Sequence, residues 1–224
     1  MEFIPQMEPD YGQEEKQAII EYLDAGGFIT EFKKTRELEQ KIAEFVGCKY
    51  CSIVHNGTVS LFLALKALGV GQGDEVIVPD YTMVATPNAA ALAGAIPVFV
   101  DIEADNLCLD PVLLEKAITS KTKAVIFVSI NGRGGNLAKV KEICQAHYLP
   151  LVEDAAQSLG STYQGKHLGM LGDIGSLSFS MPKIITMGQG GALFTDNQEL
   201  YEKIIRLRDF GRKAGGVDYY ETMG

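Results

Sequence analysis

The 224-residue chain lacks any apolar run long enough to cross a bilayer. Its first residues, MEFIPQMEPDYGQEE, are acidic and lack the basic region and apolar block of a secretory signal, so we expect no export signal. Positive charge is scarce: 20 Lys and Arg stand against 29 Asp and Glu, a formal net charge of −9, and no basic stripe is present. We therefore expect a cytoplasmic protein that binds neither a membrane nor nucleic acid.

Cysteine is also scarce, with four residues in the chain. Cys48 and Cys51 form a C-x-x-C sequence, but no second pair supplies the remaining ligands of a zinc site. A redox pair usually opens a helix, whose dipole lowers the thiol pKa, whereas this pair follows a predicted helix and enters a predicted strand. We interpret the cysteines as structural and reduced, which fits the cytoplasm, and we predict no metal site.

Histidine occurs at only three positions, and none carries a strong functional signal. We interpret His147 as a solvated residue that ends a helix and expect His167 in a polar turn. His55 adjoins a glycine-containing turn and is interpreted as structural.

The residues that are present alternate between short β-rich runs and helical patterns. We predict strands at 49–54, 74–79, 96–101, 123–130, 149–154, 177–180 and 191–195, and helices at 14–25, 35–46, 58–70, 86–95, 110–118, 137–147 and 197–210. The strands are apolar on both faces, which is typical of a mostly parallel sheet covered by helices. The sequence thus predicts a three-layer α/β/α fold, with an N-terminal segment at 1–30 and one large domain at 31–224.

Three chemically notable features follow predicted strands, where open α/β sheets bind their ligands. HNGTVS (55–60) places Gly57 and Thr58 at the start of a helix, which is either a phosphate seat or an ordinary connection. Asp154 is either a site carboxylate or a helix N-cap. Lys183 follows Pro182, and the apolar pair Ile184–Ile185 is expected to withdraw its amine from water, as a Schiff-base lysine requires.

Together these features provide an amine, a carboxylate and a phosphate seat on one edge of a sheet. Pyridoxal phosphate needs the same groups, because its aldehyde bonds an amine, its pyridine nitrogen pairs with an acid and its phosphate needs an anion site. The sequence therefore predicts a pyridoxal phosphate site, which we expect to bind no metal.

Four ordered motifs resemble the pyridoxal-phosphate-dependent nucleotide-sugar aminotransferases of the DegT/StrS type. NGTVSL is similar to the family's S-G-T-x-A-L turn, and GVGQGDEVIVPDYTMVAT to its G-x-G-D-E-V-I-V-P segment with the following T-x-x-A-T. VEDAAQSLGSTYQGKHLGMLGDIGSLSFS matches the E-D-A-A-Q and G-D-x-x-x-x-S-F blocks, and PKIITMGQGG matches the block whose lysine carries the cofactor. The resemblance implies the large domain of the fold type I pyridoxal-phosphate-dependent transferases.

The resemblance also implies a role for each site residue. Lys183 would bind the cofactor covalently and shuttle a proton, and Asp154 would pair with the pyridine nitrogen. Gln157 would lie near the ring and its 3′ oxygen. The phosphate would be bound by Gly57, Thr58 and Ser178. The expected substrates are a keto-sugar nucleotide and an amino donor, glutamate, with a perosamine-synthase-like reaction, and the family implies a homodimer.

The chain departs from the family pattern at several positions. Met83 stands where an aromatic residue often stacks on the cofactor ring, and Gln189 replaces a frequent Glu. SINGRGGN (129–136) differs from the common H-L-Y-G pattern in a loop expected to shape the sugar site. Family members continue past a segment like GRKAGGVDYYETMG into a C-terminal domain, so we expect this chain to be C-terminally truncated.

Three alternatives remain at this point. Sugar dehydratases of the same family place histidine at the position of Lys183, and the lysine favours an aminotransferase over them. A non-catalytic remnant of the fold is the second alternative. The third, a nicotinamide-dependent dehydrogenase, is disfavoured because no G-x-G-x-x-G follows the first strand.

Overall fold

The structure is a computed structural model that describes residues 3–5, 8–26 and 33–212. The predicted loop after residue 210 therefore lies outside the described residues from position 213 onward, as does part of the predicted N-terminal segment. The helices are α1 (Gln13–Asp24), α2 (Lys33–Val46), α3 (Gly57–Ala67), α4 (Ala85–Leu92), α5 (Pro111–Ala117), α6 (Leu137–Ala146) and α7 (Gln198–Arg208). The strands are β1 (Tyr50–Val54), β2 (Glu75–Pro79), β3 (Ile96–Val100), β4 (Thr122–Val128), β5 (Leu151–Asp154), β6 (Thr162–Tyr163), β7 (Lys166–His167), β8 (Ile174–Ser178) and β9 (Gly191–Thr195).

The main sheet has seven strands in the order β1-β9-β8-β5-β4-β2-β3. Strands β3, β2, β4, β5 and β8 are parallel neighbours, whereas β9 pairs antiparallel with both β8 and β1. Strand β1 consequently runs in the same direction as β8. The carboxyl ends of β1, β2, β4, β5 and β8 therefore meet at one edge of the sheet.

Helices cover both faces of this sheet, which confirms the predicted mostly parallel α/β fold. Side chains along β9 point alternately to the two faces of the sheet, and each face has its own apolar cluster. Leu193 packs in the large cluster, which includes α3. Ala192 and Phe194 pack in the smaller cluster, with Ile42 and Val46 of α2. The central strand β4 is buried at almost every position. This two-sided burial explains the continuous apolar runs in the sequence.

Local sequence explains where several helices begin. The Asn56 side chain accepts the Val59 N–H at 2.9 Å and starts α3, and Asp110 accepts the N–H groups of Val112 and Leu113 before α5. Pro at the first position of α5 loses no hydrogen bond, because that N–H has no acceptor inside a helix. Such caps are worth about 1 kcal/mol each.

The predicted elements differ from the structure in several places, and two of these differences have a clear physical reason. Strand β8 begins at Ile174 rather than 177, because Gly175 lets the chain pass close to Phe194, where a Cβ would collide with the ring. The hairpin of β6 and β7 was not predicted. Its turn residues Gln164 and Gly165 both have positive φ, at 51° and 79°, but Gln is not one of the usual signals for such a turn.

Three of the four cysteines and His167 are buried. All four cysteines are free, and burial raises the pKa of Cys48 and Cys108 to about 11 and of Cys144 to about 12, which marks them as unreactive thiols. The expectation of a polar turn around His167 is wrong. The ring is buried, accepts the Gly160 N–H at 2.9 Å, and has a lowered pKa because of its burial.

Over residues 3–5, 8–26 and 33–212, no helix combines the length and apolarity that a bilayer span requires. The same part of the chain contains no cluster of three or more His, Cys, Asp or Glu side chains with the arrangement of a metal site.

Candidate active site

A cavity of 330 Å³ opens at the carboxyl edge of the sheet, between the ends of β1, β2, β5 and β8. This volume lies within the range of roughly 300–1,000 Å³ that is usual for small-molecule sites. Every predicted site residue lines it: Gly57, Thr58, Met83, Asp154, Gln157, Ser178 and Lys183. The sheet direction explains this convergence, since residues far apart in sequence all follow strands that end at the same edge.

One end of the cavity is formed by the start of α3. The N–H of Val59 is satisfied by the Asn56 side chain and that of Ser60 by the Asn56 carbonyl, whereas the N–H groups of Gly57 and Thr58 have no acceptor within the helix. The helix dipole adds partial positive charge at the same point. This end of the cavity is therefore suited to an anion such as phosphate.

Gly57 is needed there because Ser178 of β8 lies against it. A Cβ placed on Gly57 would stand 2.9 Å from Ser178 Cβ and 3.2 Å from its Oγ. The Ser178 hydroxyl lies 3.1 Å from that of Ser180, so two hydroxyl groups adjoin the helix start. Gly191 has a similar function on β9, since its Cβ would lie 2.5 Å from the Asn56 carbonyl oxygen.

Asp154, the last residue of β5, is almost fully buried. Its Oδ2 accepts a hydrogen bond of 2.9 Å from the Thr86 hydroxyl, and its Oδ1 accepts the Ala156 N–H at 3.1 Å. Burial raises the pKa of this carboxyl, and the two hydrogen bonds and the positive charge of Lys183 oppose that increase. No regular helix follows Asp154, so the alternative interpretation as a helix cap does not hold.

Lys183 lies on the loop between β8 and β9 and is half-buried. Its backbone N–H donates to the Ser180 carbonyl at 3.1 Å, which turns the chain after Pro182. The expectation that Ile184 and Ile185 cover the amine is wrong, because these side chains are 70% and 48% exposed. Both branched side chains point to solvent in the single chain, and the amine instead faces the cavity that contains Asp154.

Gln157 is oriented by the loop that follows β4. Its Oε1 accepts the Asn131 N–H at 2.8 Å, which leaves the amide Nε2 of the side chain as a donor. Asn131 has φ 50° within a short 3-10 turn, Ile130–Gly132. Gly132 permits this turn to pack tightly, because a Cβ there would lie 2.6 Å from Ser161 Oγ.

Two of the residues that depart from the family pattern, Met83 and Gln189, lie at the cavity. Met83 is 61% exposed, so its thioether lies at the rim of the cavity and is not packed in the core. Gln189 also lines the cavity and is exposed. Neither side chain makes the wall rigid, and both have room to adjust to a ligand.

Sequence reasoning missed three residues around Asp154. Thr86, which is fully buried, bonds Asp154, and Thr82 lies 2.9 Å from Thr86 through their hydroxyl oxygens. The i, i+4 spacing of these threonines at the start of α4 was the available signal. Glu153 points to the opposite face of the sheet, where its carboxylate accepts the N–H groups of Gly169, Leu171 and Gly172.

A larger cavity of 660 Å³ lies between α1 and the start of α2. Its walls come from these two helices and from the residues that flank positions 27–32, which the structure does not describe. The chemical groups that would bind pyridoxal phosphate line the smaller, strand-end cavity, which we therefore regard as the candidate site.

The residues of the strand-end cavity fit pyridoxal phosphate. The anion seat at α3, the buried Asp154 carboxylate and the Lys183 amine occupy one cavity, and they match the phosphate, the pyridine nitrogen and the aldehyde of the cofactor. Gly57 leaves the space beside Ser178 that a Cβ would fill. The set is also free of the thiolate or imidazole ligands that a transition metal would prefer.

Comparison with known sequences identifies the family. The DegT/DnrJ/EryC1/StrS aminotransferase family matches residues 9–224. The GDP-perosamine synthase of Vibrio cholerae is 38% identical over 220 residues, which are 98% of this chain and 60% of the relative. The Bacillus subtilis (strain 168) spore coat polysaccharide biosynthesis protein SpsC is 39% identical over 222 residues, 99% of this chain and 57% of the relative.

A third relative, the UDP-2-acetamido-2-deoxy-3-oxo-D-glucuronate aminotransferase of Pseudomonas aeruginosa, is 45% identical over 177 residues, 79% of this chain and 49% of the relative. The chain thus spans about half to three fifths of the length of these curated relatives.

Solved structures share the fold. An aminotransferase from Psychrobacter cryohalolentis has a TM-score of 0.90 at 32% identity and covers 96% of this chain and 58% of its own. DesV of S. venezuelae, solved in complex with a ketimine intermediate, has a TM-score of 0.88 at 36% identity, with 94% and 56% covered. NtdA of Bacillus subtilis, solved with bound cofactor PMP, has a TM-score of 0.85 at 32% identity, with 95% and 49% covered.

These similarities agree with the mostly parallel α/β fold of the structure. The predicted family and fold are both confirmed. The aminotransferases of this family depend on pyridoxal phosphate, and the neighbouring structures include a complex with the cofactor PMP. The chain belongs to the DegT/DnrJ/EryC1/StrS aminotransferase family.

Proposed function

We propose that the protein is a pyridoxal-phosphate-dependent aminotransferase that transfers an amino group from glutamate to a keto-deoxy-sugar nucleotide. The observation that carries the proposal is the meeting of Lys183, Asp154 and the α3 N-terminus in one cavity. When bound, the cofactor supplies an electron sink that lowers the barrier to proton removal from the carbon bearing the amino group.

Each residue has a distinct task in this proposal. Lys183 would hold the cofactor through Nζ and would supply the amine that removes and returns the proton on carbon. The Asp154 carboxylate holds a proton on the pyridine nitrogen. The N–H groups of Gly57 and Thr58, together with the Ser178 hydroxyl, would bind the phosphate.

The ring itself is positioned by two further residues. The Gln157 amide has its oxygen occupied by the Asn131 N–H, so its Nε2 is the group that donates to the 3′ oxygen. Met83 would contact the ring through its thioether, at the position where the family often has an aromatic side chain.

A sugar nucleotide is the proposed amino acceptor because the similar proteins are named for sugar amination. They include a GDP-perosamine synthase and a UDP-sugar aminotransferase, which differ in nucleotide and in sugar. We favour a perosamine-synthase-like reaction, in which the amine is placed on a ring carbon of a deoxy-sugar. The 129–136 loop, which departs from the family pattern, would contribute to the choice of sugar.

We also propose that the protein works as a homodimer in the cytoplasm. Several large apolar side chains around the cavity are exposed in the single chain: Tyr81, Met83, Met181, Ile184, Ile185 and Met187. A second copy would cover them and close the site. The four free, high-pKa or buried cysteines suit a reducing compartment. The division into an N-terminal segment at 1–30 and a large domain at 31–224 is likewise a proposal.

The direct test is a pair of half-reactions. Purified protein loaded with pyridoxal phosphate is mixed with glutamate, and the loss of the visible cofactor absorbance is followed together with release of the keto acid. The amino-loaded protein is then offered a panel of keto-sugar nucleotides, and the return of the absorbance identifies the acceptor. If other amino donors bleach the absorbance and glutamate does not, glutamate is not the donor. If no amino donor bleaches it, the proposed transamination is contradicted.

A further inference from the structure

Two threonines connect the wall of the cavity with the Asp154 carboxylate. Thr86 is fully buried, and its hydroxyl donates to Asp154 Oδ2 at 2.9 Å. Thr82 lines the cavity, and its hydroxyl oxygen lies 2.9 Å from that of Thr86. The two residues stand four positions apart, with Thr86 in the first turn of α4, so their side chains share one face of the chain.

The direction of these hydrogen bonds follows from the chemistry of the groups. An ionised carboxylate only accepts hydrogen bonds, so the single proton of the Thr86 hydroxyl is directed to Asp154. The Thr86 oxygen can then act toward Thr82 only as an acceptor, so Thr82 donates to Thr86. The hydrogen bonds therefore run from Thr82 at the cavity wall through Thr86 to the Asp154 carboxylate, which is the final acceptor.

We propose that Thr86, oriented by Thr82, is a positioning residue that holds Asp154 ionised and fixes the carboxylate to receive the pyridine N–H of the cofactor. This inference rests on the proposed function. Asp154 Oδ1 is held by the Ala156 N–H and Oδ2 by Thr86, so the carboxylate plane is fixed at both oxygens. The hydroxyl is also the only side-chain donor that the structure places on Asp154 within its described part.

Electrostatics around Asp154 make this hydrogen bond important. Burial raises the pKa of the carboxyl, and three neighbours lower it: the Ala156 N–H, the Thr86 hydroxyl and the charge of Lys183 on the β8–β9 loop. The adjacent carboxylate, Glu153, faces the other side of the sheet and is bonded to backbone N–H groups there.

The test compares Thr86→Val, which keeps the shape and removes the hydroxyl, with Thr86→Ser, which keeps the hydroxyl. The readout is the dissociation constant of pyridoxal phosphate between pH 6 and 9, measured by cofactor absorbance on the purified protein. We expect the Val variant to bind about tenfold more weakly at neutral pH, since hydrogen bonds to charged groups are the strong ones. As the pH is lowered, both proteins should lose affinity for pyridoxal phosphate, and the Val variant should begin to lose it at a higher pH than the unaltered protein. The Ser variant should restore both the affinity at neutral pH and the pH at which the loss begins.

A double-mutant cycle separates an effect through Asp154 from simple packing. In an Asp154→Asn background, Thr86→Val is expected to change the affinity by less than about twofold, because no carboxylate remains to be held. The same tenfold loss in the Asn background, or a loss independent of pH, would overturn the proposal, as would a Val variant that binds like the unaltered protein. Thr82→Val should give a smaller loss in the same direction.

The proposed function is checked separately by borohydride, which fixes bound cofactor to Lys183. Fixation in the unaltered protein and in Thr86→Val, with unchanged affinity between them, would refute the role of Thr86 while leaving the proposed function intact. Lack of fixation in the unaltered protein would instead refute the proposed function. Thermal unfolding of each variant checks that the chain is folded in every comparison.

Discussion

At the scale of single residues, β5 carries two buried acids with different surroundings. Asp154 and Glu153 are neighbours on β5 but point to opposite faces of the sheet, and burial raises the pKa of both carboxyl groups. One lies in the candidate site, and the other accepts backbone N–H groups from the 169–172 turn. The E-D sequence thus combines a proposed cofactor contact with a structural anchor.

Glu153 gives a prediction about stability. In Glu153→Gln, an oxygen that accepts a backbone N–H is replaced by an NH₂ group, which then faces that N–H donor. We expect the free energy of unfolding to fall by about 2 kcal/mol at pH 5.5. The pKa of Glu153 is raised in the folded state, so the folded chain holds this proton more tightly than the unfolded chain does. The stability that proton binding adds is therefore full below the unfolded pKa of about 4.3 and decreases as the pH rises.

The difference between the unaltered protein and Glu153→Gln should therefore be smaller at pH 8 than at pH 5.5 in urea unfolding. Glu115→Gln, at an exposed position on α5, is the matched control and should change stability by less than about 0.5 kcal/mol at either pH. A difference that grows with pH would show that the carboxyl pKa is lowered in the folded state.

At the scale of elements, the candidate site depends on the close approach of α3, β8 and β9. Gly57 and Gly191 permit that approach, because a Cβ at either position would collide with a neighbouring element. Most of these elements could be predicted from the sequence, since continuous apolar runs bounded by turn residues mark buried parallel strands. The edge of the sheet at which the cavity lies could be predicted from the same pattern, because parallel strands all end at one edge.

Other elements could not be predicted, for physical reasons that act over long distances. Strand β8 starts early because Gly175 meets Phe194 of β9, and the β6–β7 hairpin is closed by a Gln-Gly turn. The partnership of Thr86 and Asp154 joins residues 68 positions apart. The predicted cover of Lys183 by Ile184 failed because an apolar side chain next to an amine in sequence need not fold over it.

Gly57 gives a prediction at the junction of α3 and β8. Gly57→Ala forces the Ser178 side chain away from the helix start, so we expect the dissociation constant of pyridoxal phosphate to rise by about tenfold through loss of a charge-assisted hydrogen bond. Gly71→Ala is the control, because a Cβ there meets nothing within 4 Å. Equal affinities in the two variants would remove the α3 N-terminus from the phosphate site.

At the scale of the whole molecule, the apolar side chains around the cavity give a prediction about assembly. A homodimer of this 24.3 kDa chain should elute in light-scattering chromatography at twice that mass. Ile184→Glu places a charge in the proposed interface and should shift the protein to the monomer, since burying an unpaired charge is costly. Val112→Glu, at a similarly exposed position on α5, should leave the dimer intact. A monomer in the unaltered protein would contradict the proposed assembly.

The most direct test of the central claim is chemical fixation of the cofactor at one residue. The purified protein is incubated with pyridoxal phosphate, reduced with borohydride and digested, and the peptides are measured by mass spectrometry. We predict that the phosphopyridoxyl group is found on Lys183, and that Lys183→Ala loses it whereas Lys121→Ala, at an exposed lysine, retains it. Label spread over surface lysines, or the same label in Lys183→Ala, would contradict the assignment of this cavity as the active site.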